Sequence, residues 1–476
     1  MSKLVKNSML YLTATIFLKG ASFLLLPLYT KLVSPEEYGV VYLITTLGTF
    51  LSLLLSLSVR GAVSRFYFDN KQQEALKELY SCIVIFIFGF ATISYLIIFA
   101  FVNPISDFMD ISNPLYLTFA LIGSYASVFF PIILALLYVQ EKGKLISLIT
   151  ILIGSFSIIM QLLLVLNMQD KIMAFMISLL INGLLQLSLF IFFSRKYFVF
   201  NLKFKNIKKY LTYSLHSLPG DISVWIITFA DRIMIDKYKG HADTGLYSIG
   251  YKLGQSPEIL FQSINKAYVP YVYNKYSDFN DENRNNTIKV GTFLFTLFTG
   301  FIFVITVFSK DIVRLLNTSY KDSLWIMVII LFSYLLSGYK LIFHNPLSFN
   351  EKFLKYKSGI WIFAAILNIA LNFWLIPKYS MYGAAIATLI SYIVTLIPVL
   401  ILSNRAIKIN YPIKKYFVIL IISIIYFMSI MLDVTLCNFI IKILITIIYT
   451  WVLIKLSDFN IGFYLNNILN KIWRKG

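Results

Sequence analysis

The chain has 476 residues, of which 59% are hydrophobic and 13% charged, with 42 Lys and Arg against 22 Asp and Glu. Soluble domains carry about 25% charged residues, so this composition excludes a soluble catalytic fold. The formal net charge of +20 is read as membrane topology, and no nucleic-acid partner is expected.

Apolar runs of bilayer-spanning length, about 20 residues each, recur at 9–32, 38–58, 79–102, 115–139, 145–167, 172–193, 211–235, 245–273, 287–308, 322–343, 356–376, 381–402, 416–432 and 436–456. The expectation is an all-α integral membrane protein of about 14 transmembrane helices with no soluble domain between them. The first run contains Lys19, spans fully and ends in no small-residue cleavage site, unlike a signal peptide. Lys and Arg concentrate in alternate loops, most densely in SRKYFVFNLKFKNIKKY (194–210). The positive-inside rule then places both termini in the cytoplasm. That linker reads as a basic segment lying on anionic headgroups. The tail 458–476 carries Ile461, Leu465, Ile468, Leu469 and Ile472 at helical spacing, as an interfacial amphipathic helix does.

Tyr38-Gly39 opens the second span, Thr244-Gly245 the eighth and Tyr382-Gly383 the twelfth. This weak repeat suggests two pseudo-symmetric six-helix lobes, a common transporter plan. The expected division is an N-terminal lobe (1–193), the basic linker (194–210), a C-terminal lobe (211–402), and two extra spans with the tail (403–476). Cys82 and Cys437 are the only cysteines, and His216, His241 and His344 are scattered. Neither a disulfide framework nor a metal site is expected. No P-loop, HExxH or dinucleotide fingerprint marks an enzyme, and no cofactor is expected.

Ionisable residues inside spans cost about 2.5–3.5 kcal/mol each on insertion scales, so they are functional candidates by default. At about 100° per residue, Thr15, Lys19 and Ser22 share a face of the first span. Thr45, Thr49, Ser52 and Ser56 form a stripe along the second, leading to Arg60. The seventh carries Asp221, Asp231 and Arg232. In the eighth, Lys252, Gln255, Gln262 and Lys266 share a face, with Glu258 near its edge. Each has a structural alternative. The hydroxyl stripe suits helix packing, Lys289 and Lys340 suit snorkelling to headgroups, and Asp231 with Arg232 suits a local pair. Together the stripes outline a central cationic cavity between the lobes, whose cargo is anionic.

Three segments carry a family resemblance: LLLPLYTKLVSPEEYGVVYLITT (24–46), ITFADRIMIDKYKGHADTGLYSIGYKLG (227–254) and LNFWLIPKYSMYGAAIATLISY (371–392). At these residues the chain resembles the Wzx-type oligosaccharide flippases of the polysaccharide-transporter family, within the multidrug/oligosaccharidyl-lipid/polysaccharide (MOP) exporter superfamily. The resemblance implies a MATE-like two-lobed bundle in a bacterial plasma membrane. It implies movement of an undecaprenyl-pyrophosphate-linked oligosaccharide to the outer leaflet by alternating access, where polysaccharide polymerase machinery acts on it. The expected pyrophosphate contacts are Lys19, Arg60, Arg65, Arg232, Lys252 and Lys266. Thr49, Ser52 and Gln255 lie nearer the sugars, and Asp221, Asp231 and Glu258 are candidate ion carriers. A lipid II flippase of the same superfamily shares the cationic cavity. A drug/cation antiporter would instead need carboxylates and aromatics. A membrane polysaccharide polymerase would need catalytic groups on a substantial outer loop, and the 308–322 loop is short.

Overall fold

The computed structural model of the chain describes residues 3–69, 72–200, 206–431 and 437–457. The tail 458–476 and residues 201–205 of the basic linker lie outside the described residues. Among the described residues every regular element is a helix, as lipid requires of a chain that must satisfy its own backbone. Nine of these helices are long and apolar enough to cross a membrane.

α1 (Lys3–Leu24) continues into α2 (Leu26–Leu32). α3 (Pro35–Leu55) starts on a capping box: Ser34 Oγ accepts from the Glu37 N–H, and the Glu37 carboxylate accepts from the Ser34 N–H. A turn with Leu57 and Ser58 at positive φ leads to α4 (Val59–Phe66). There follow α5 (Gln73–Ala100), α6 (Val102–Phe108), α7 (Pro114–Ser127), α8 (Phe130–Val139), α9 (Gly143–Asn167) and α10 (Lys171–Ser194). Asn113 and Asp170 cap α7 and α10 by accepting from backbone N–H groups. α11 (Ile207–Trp225) passes through a π-helical turn, Ile226–Ala230, into α12 (Asp231–Lys239). α13 (His241–Gly254), α14 (Glu258–Ser277), α15 (Asp281–Val307), α16 (Ser309–Arg314), α17 (Ser323–Phe343), α18 (Asn345–Phe349), α19 (Leu354–Ala406), α20 (Ile413–Met431) and α21 (Cys437–Leu456) complete the order.

α19 holds two expected spans and breaks at Ser380, whose φ of 51° and ψ of −136° are non-helical. A Cβ on Gly383 would lie 2.4 Å from the Leu375 carbonyl oxygen. Eight residues of straight helix span about 12 Å, so the two arms double back on each other.

The chain packs as two compact units. One comprises Met1–Leu253, Val313–Ile326 and Trp361–Ser391, the other Gly254–Ile312, Met327–Ile360 and Tyr392–Gly476. In the first unit α7 and α10 meet backbone to backbone: a Cβ on Gly183 would fall 2.2 Å from the Gly123 carbonyl oxygen. The turns expected on the outer side also interlock there. Gly39 is the fifth residue of α3 and Gly245 the fifth of α13. A Cβ on Gly39 would sit 1.8 Å from the His241 carbonyl oxygen, and one on Gly245 equally 1.8 Å from that of Pro35. The first carbonyl of each helix thus rests on the fifth residue of the other, a local two-fold arrangement of two glycines of the sequence repeat.

Around this contact the Tyr320 hydroxyl donates to the Val33 carbonyl at 2.9 Å, and the Asn317 N–H donates to Thr30 Oγ1 at 3.3 Å. The Tyr38 ring meets those of Phe175 and Tyr320 at 5.6 and 6.0 Å. Ser380 Oγ donates to the Asp243 carboxylate. In the second unit Phe295 is stacked between Tyr339 and Tyr416 at 4.1 Å from each, and Lys442 pairs with Asp311 at 2.9 Å.

Candidate translocation site

The hydroxyl stripe of α3 forms one wall of a cleft of about 300 Å³ inside the first unit. Thr45, Thr49 and Ser52 line it from α3, Ser124 and Ser127 from α7, and Asn182 and Gln186 from α10. Gly48, Gly123 and Gly183 are also in the lining and let the three backbones come close. Thr49 accepts from the Trp225 indole N–H at 3.1 Å, which fixes its hydroxyl. Ser52 Oγ donates to the Ser124 carbonyl at 3.2 Å. The stripe therefore both packs helices and lines a cavity. Ser124, Ser127, Asn182 and Gln186 escaped sequence reasoning, which followed charges. Their signal is the spacing of two amides four apart on one face of an otherwise apolar span.

The candidate cations divide by partner. Arg60 reaches Asp221 at 3.5 Å, and Asp221 also accepts from Ser58 Oγ at 2.8 Å. Arg65 pairs with Asp69 at 2.9 Å on the next turn of chain. Arg232 is 3% exposed and pairs with Asp231 at 3.1 Å. Its guanidinium lies over Tyr251 at 4.6 Å and Phe229 at 5.2 Å, and the Tyr247 hydroxyl donates to the other oxygen of Asp231. A π-helical turn, Ile226–Ala230, ends just before these two residues, which both lie in α12. Neighbours that a regular helix would splay by about 100° form a closed, buried pair.

Lys19, Lys252 and Lys266 differ. None of them has an ion pair or hydrogen bond among the described residues. Lys19 and Lys266 are exposed, and Lys252 is half-buried. Gln255 accepts from the Tyr334 hydroxyl at 3.4 Å, and Glu258 sits in the first turn of α14. Lys340 does not snorkel. It is 7% exposed, with its Nζ 3.2 Å from Thr395 Oγ1 and 4.0 Å from the Tyr392 ring centre. The second unit also holds a cavity of about 760 Å³, lined mainly by aliphatic side chains with Phe295, Tyr339, Phe343, Tyr411 and Tyr416.

His241, in the turn ahead of the eighth expected span, joins the interlocked turns. Its Nδ1 lies 2.6 Å from Asp236 Oδ1 and its Nε2 lies 3.1 Å from the Asp110 carbonyl oxygen. Both partners only accept, so the doubly protonated ring fits best. The hydrogen bond to Asp236 raises the imidazole pKa above its ordinary value.

Residues 4–274 match the model of the family described as "Polysaccharide biosynthesis protein". The chain belongs to this family. It is 28% identical to the Lsg locus putative protein 1 of Haemophilus influenzae, over 57% of this chain and 66%, just under two thirds, of that relative. It is 22% identical to the probable low-salt glycan biosynthesis flippase Agl15 of Haloferax volcanii, over 82% of this chain and 81% of the relative. Its fold is similar to a solved structure of the lipid II flippase MurJ in an inward closed conformation. The TM-score is 0.70 at 20% identity, covering 97% of this chain and 100% of that one. An inward-facing multidrug MATE transporter of the MOP superfamily gives a TM-score of 0.66 at 12% identity, over 85% and 99% of the two chains. The chain is therefore a multi-pass, all-α membrane protein of MurJ- and MATE-like fold in a family of polysaccharide biosynthesis proteins.

Proposed function

We propose that this chain moves undecaprenyl-pyrophosphate-linked oligosaccharide repeat units from the cytoplasmic to the outer leaflet of a bacterial plasma membrane, for polymerase machinery acting outside. The observation that carries the proposal is the division of the cations. Each candidate arginine has a carboxylate, whereas Lys19, Lys252 and Lys266 have no partner among the described residues. An unpaired ammonium within a span is costly, and a pyrophosphate offsets that cost. One Lys–phosphate contact near 4 Å contributes roughly 4 kcal/mol at an effective dielectric near 20, before desolvation. Arg60 and Arg65 act as capture residues at the cytoplasmic mouth. Arg232 acts mainly through its pair with Asp231. Thr49, Ser52 and Gln255 meet sugars. The interlocked outer turns support a state that receives cargo from the cytoplasmic side.

No nucleotide motif supplies energy, but an inside-negative potential favours outward anion movement by about 2.3 kcal/mol per charge per 100 mV. Ion coupling would use Asp221 or Glu258, each nearer solvent than Asp231. The fold likeness to MurJ favours lipid II cargo as the second reading.

The test is reconstitution in vesicles loaded with a fluorescent pyrophosphate-linked glycolipid, read by its exposure to a membrane-impermeant quencher. Wild type should accelerate exchange between leaflets, and Lys19→Gln, Lys252→Gln and Lys266→Gln together should abolish the acceleration. Unchanged exchange in the triple variant contradicts the reading. Exchange confined to lipid II moves the cargo to the second reading.

A further inference from the structure

The cleft between α3, α7 and α10 has a one-sided hydrogen-bond polarity, set by hydroxyls that donate to backbone carbonyls as helical Ser and Thr commonly do. The Thr45 hydroxyl donates to the Tyr42 carbonyl at 3.0 Å and that of Thr49 to Thr46 at 2.8 Å. Ser52 donates to Ser124 at 3.2 Å, Ser124 to Leu121 at 3.0 Å and Ser127 to Ser124 at 2.8 Å, in each case to the carbonyl oxygen. A hydroxyl has one proton and two lone pairs. With the proton committed to backbone, each of these oxygens offers only lone pairs, of which Thr49 uses one on the Trp225 indole N–H and Ser124 one on the Tyr95 hydroxyl at 3.0 Å. On α10 the Gln186 amide donates to Asn182 Oδ1 at 3.3 Å, so Gln186 keeps its oxygen, and Asn182 its amide nitrogen, for another partner. No Lys, Arg, Asp or Glu lines this cleft.

Such a lining discriminates between ligands. A phosphate or carboxylate brings only acceptors and no counter-charge awaits it. A hydrocarbon tail would strand the polar lining without partners. A sugar ring brings several O–H donors, and an N-acetylated sugar adds an N–H. The volume of about 300 Å³ lies at the small end of ligand pockets, about 300–1,000 Å³, and suits a single ring. The cavity of the second unit differs: beside its aliphatic and aromatic walls it carries Ser403, Asn404 and Asn410 together with the cation Arg405.

We infer that this cleft is a saccharide subsite that reads the hydroxyls of one sugar residue of the cargo, with Gln186 accepting through its oxygen and Asn182 donating through its amide nitrogen to a hydroxyl oxygen, as specificity-determining residues. The inference rests on the glycolipid reading above and deepens it. The pyrophosphate is held by lysines elsewhere, and the cleft responds to the sugar alone.

The test uses the full-length chain in lipid nanodiscs and three probes: undecaprenyl pyrophosphate, N-acetylglucosaminyl-pyrophosphoryl-undecaprenol, and the per-O-acetylated form of the latter, which keeps the ring but loses its O–H donors. A net hydrogen bond contributes about 1 kcal/mol, or about fivefold in affinity. The sugar-bearing lipid should bind wild type at least about fivefold more tightly than the bare pyrophosphate. That increment should disappear on acetylation, in Gln186→Leu and in Asn182→Leu. Gln186→Glu, which keeps an acceptor oxygen, should retain it. All variants should bind the bare lipid as wild type does, which also controls for folding. An increment that survives acetylation, or survives both leucine substitutions, overturns the subsite, as does the absence of any increment in wild type. Binding of the sugar-bearing lipid, sensitive to Gln186→Leu, with none of the bare lipid would preserve the subsite and overturn the pyrophosphate reading. Failure of all three lipids to bind overturns both.

Discussion

At the scale of single residues, Arg232 and Asp231 share one buried ion pair. Removing one partner of such a pair leaves an uncompensated charge and costs about 3–5 kcal/mol. Arg232→Ala should therefore lower thermal stability sharply, while Arg65→Ala, whose pair is exposed, should change it by less than about 1 kcal/mol. Thermal unfolding in detergent checks both, and equal effects would contradict this account. Lys252 should behave oppositely. Lys252→Gln should leave stability near wild type and slow transport roughly tenfold or more, the loss of one hydrogen bond to a charged group at about 1.5–3 kcal/mol. The hydroxyl stripe through Thr45, Thr49 and Ser52 is legible in the sequence, because helical spacing alone puts them on one face of α3. The burial of Arg232 is not. It depends on the rings of Tyr247 and Tyr251 from α13 closing over the guanidinium, which no residue spacing announces. The contribution of Asn182 is hidden too, because the other walls of its cleft are α3 and α7, far away along the chain.

At the scale of elements, α3 and α13 meet through Gly39 and Gly245. A methyl group at either position would fall 1.8 Å from a carbonyl oxygen, so the helices must part. Gly39→Ala and Gly245→Ala should each destabilise the protein by about 1–3 kcal/mol, as overpacking does. Each should also increase labelling of a cysteine placed at Tyr320 by an impermeant maleimide from outside. Labelling no faster than in the Tyr320→Cys parent would show that this contact does not close the outer turns. His241 adds a pH dependence. Its folded pKa is raised, so its contribution is complete below the unfolded value and is lost as pH rises through the folded one. Comparing unfolding temperatures of wild type and His241→Gln across pH should show the wild-type advantage largest in acid and shrinking toward alkaline pH. An advantage that grows with pH would contradict the doubly donating ring. The sequence repeat drew attention to both glycines, since Tyr-Gly and Thr-Gly open corresponding spans. It could not show that they touch, because contact between helix starts depends on packing.

At the scale of the whole molecule, the recurrence of apolar runs makes an all-helical membrane protein legible from composition and length alone. The segments at 24–46 and 227–254 fall inside the match over residues 4–274 that establishes the polysaccharide biosynthesis family, and 371–392 lies beyond it. The doubling back of α19 at Ser380 is foreshadowed only by the break between its two apolar runs. The grouping of Val313–Ile326 and Trp361–Ser391 with Met1–Leu253 has no sequence signature, since tertiary contact between distant turns leaves no periodic trace. The central claim is that the chain carries a glycolipid across the bilayer on lysines that have no carboxylate partner among the described residues. Its most direct test is the sidedness of lipid-linked oligosaccharide in cells depleted of this protein and supplied with wild type or Lys252→Gln. The account predicts accumulation on the cytoplasmic leaflet, relieved by wild type and not by the variant at equal membrane abundance. Normal sidedness in the depleted cells, or full relief by Lys252→Gln, would contradict it.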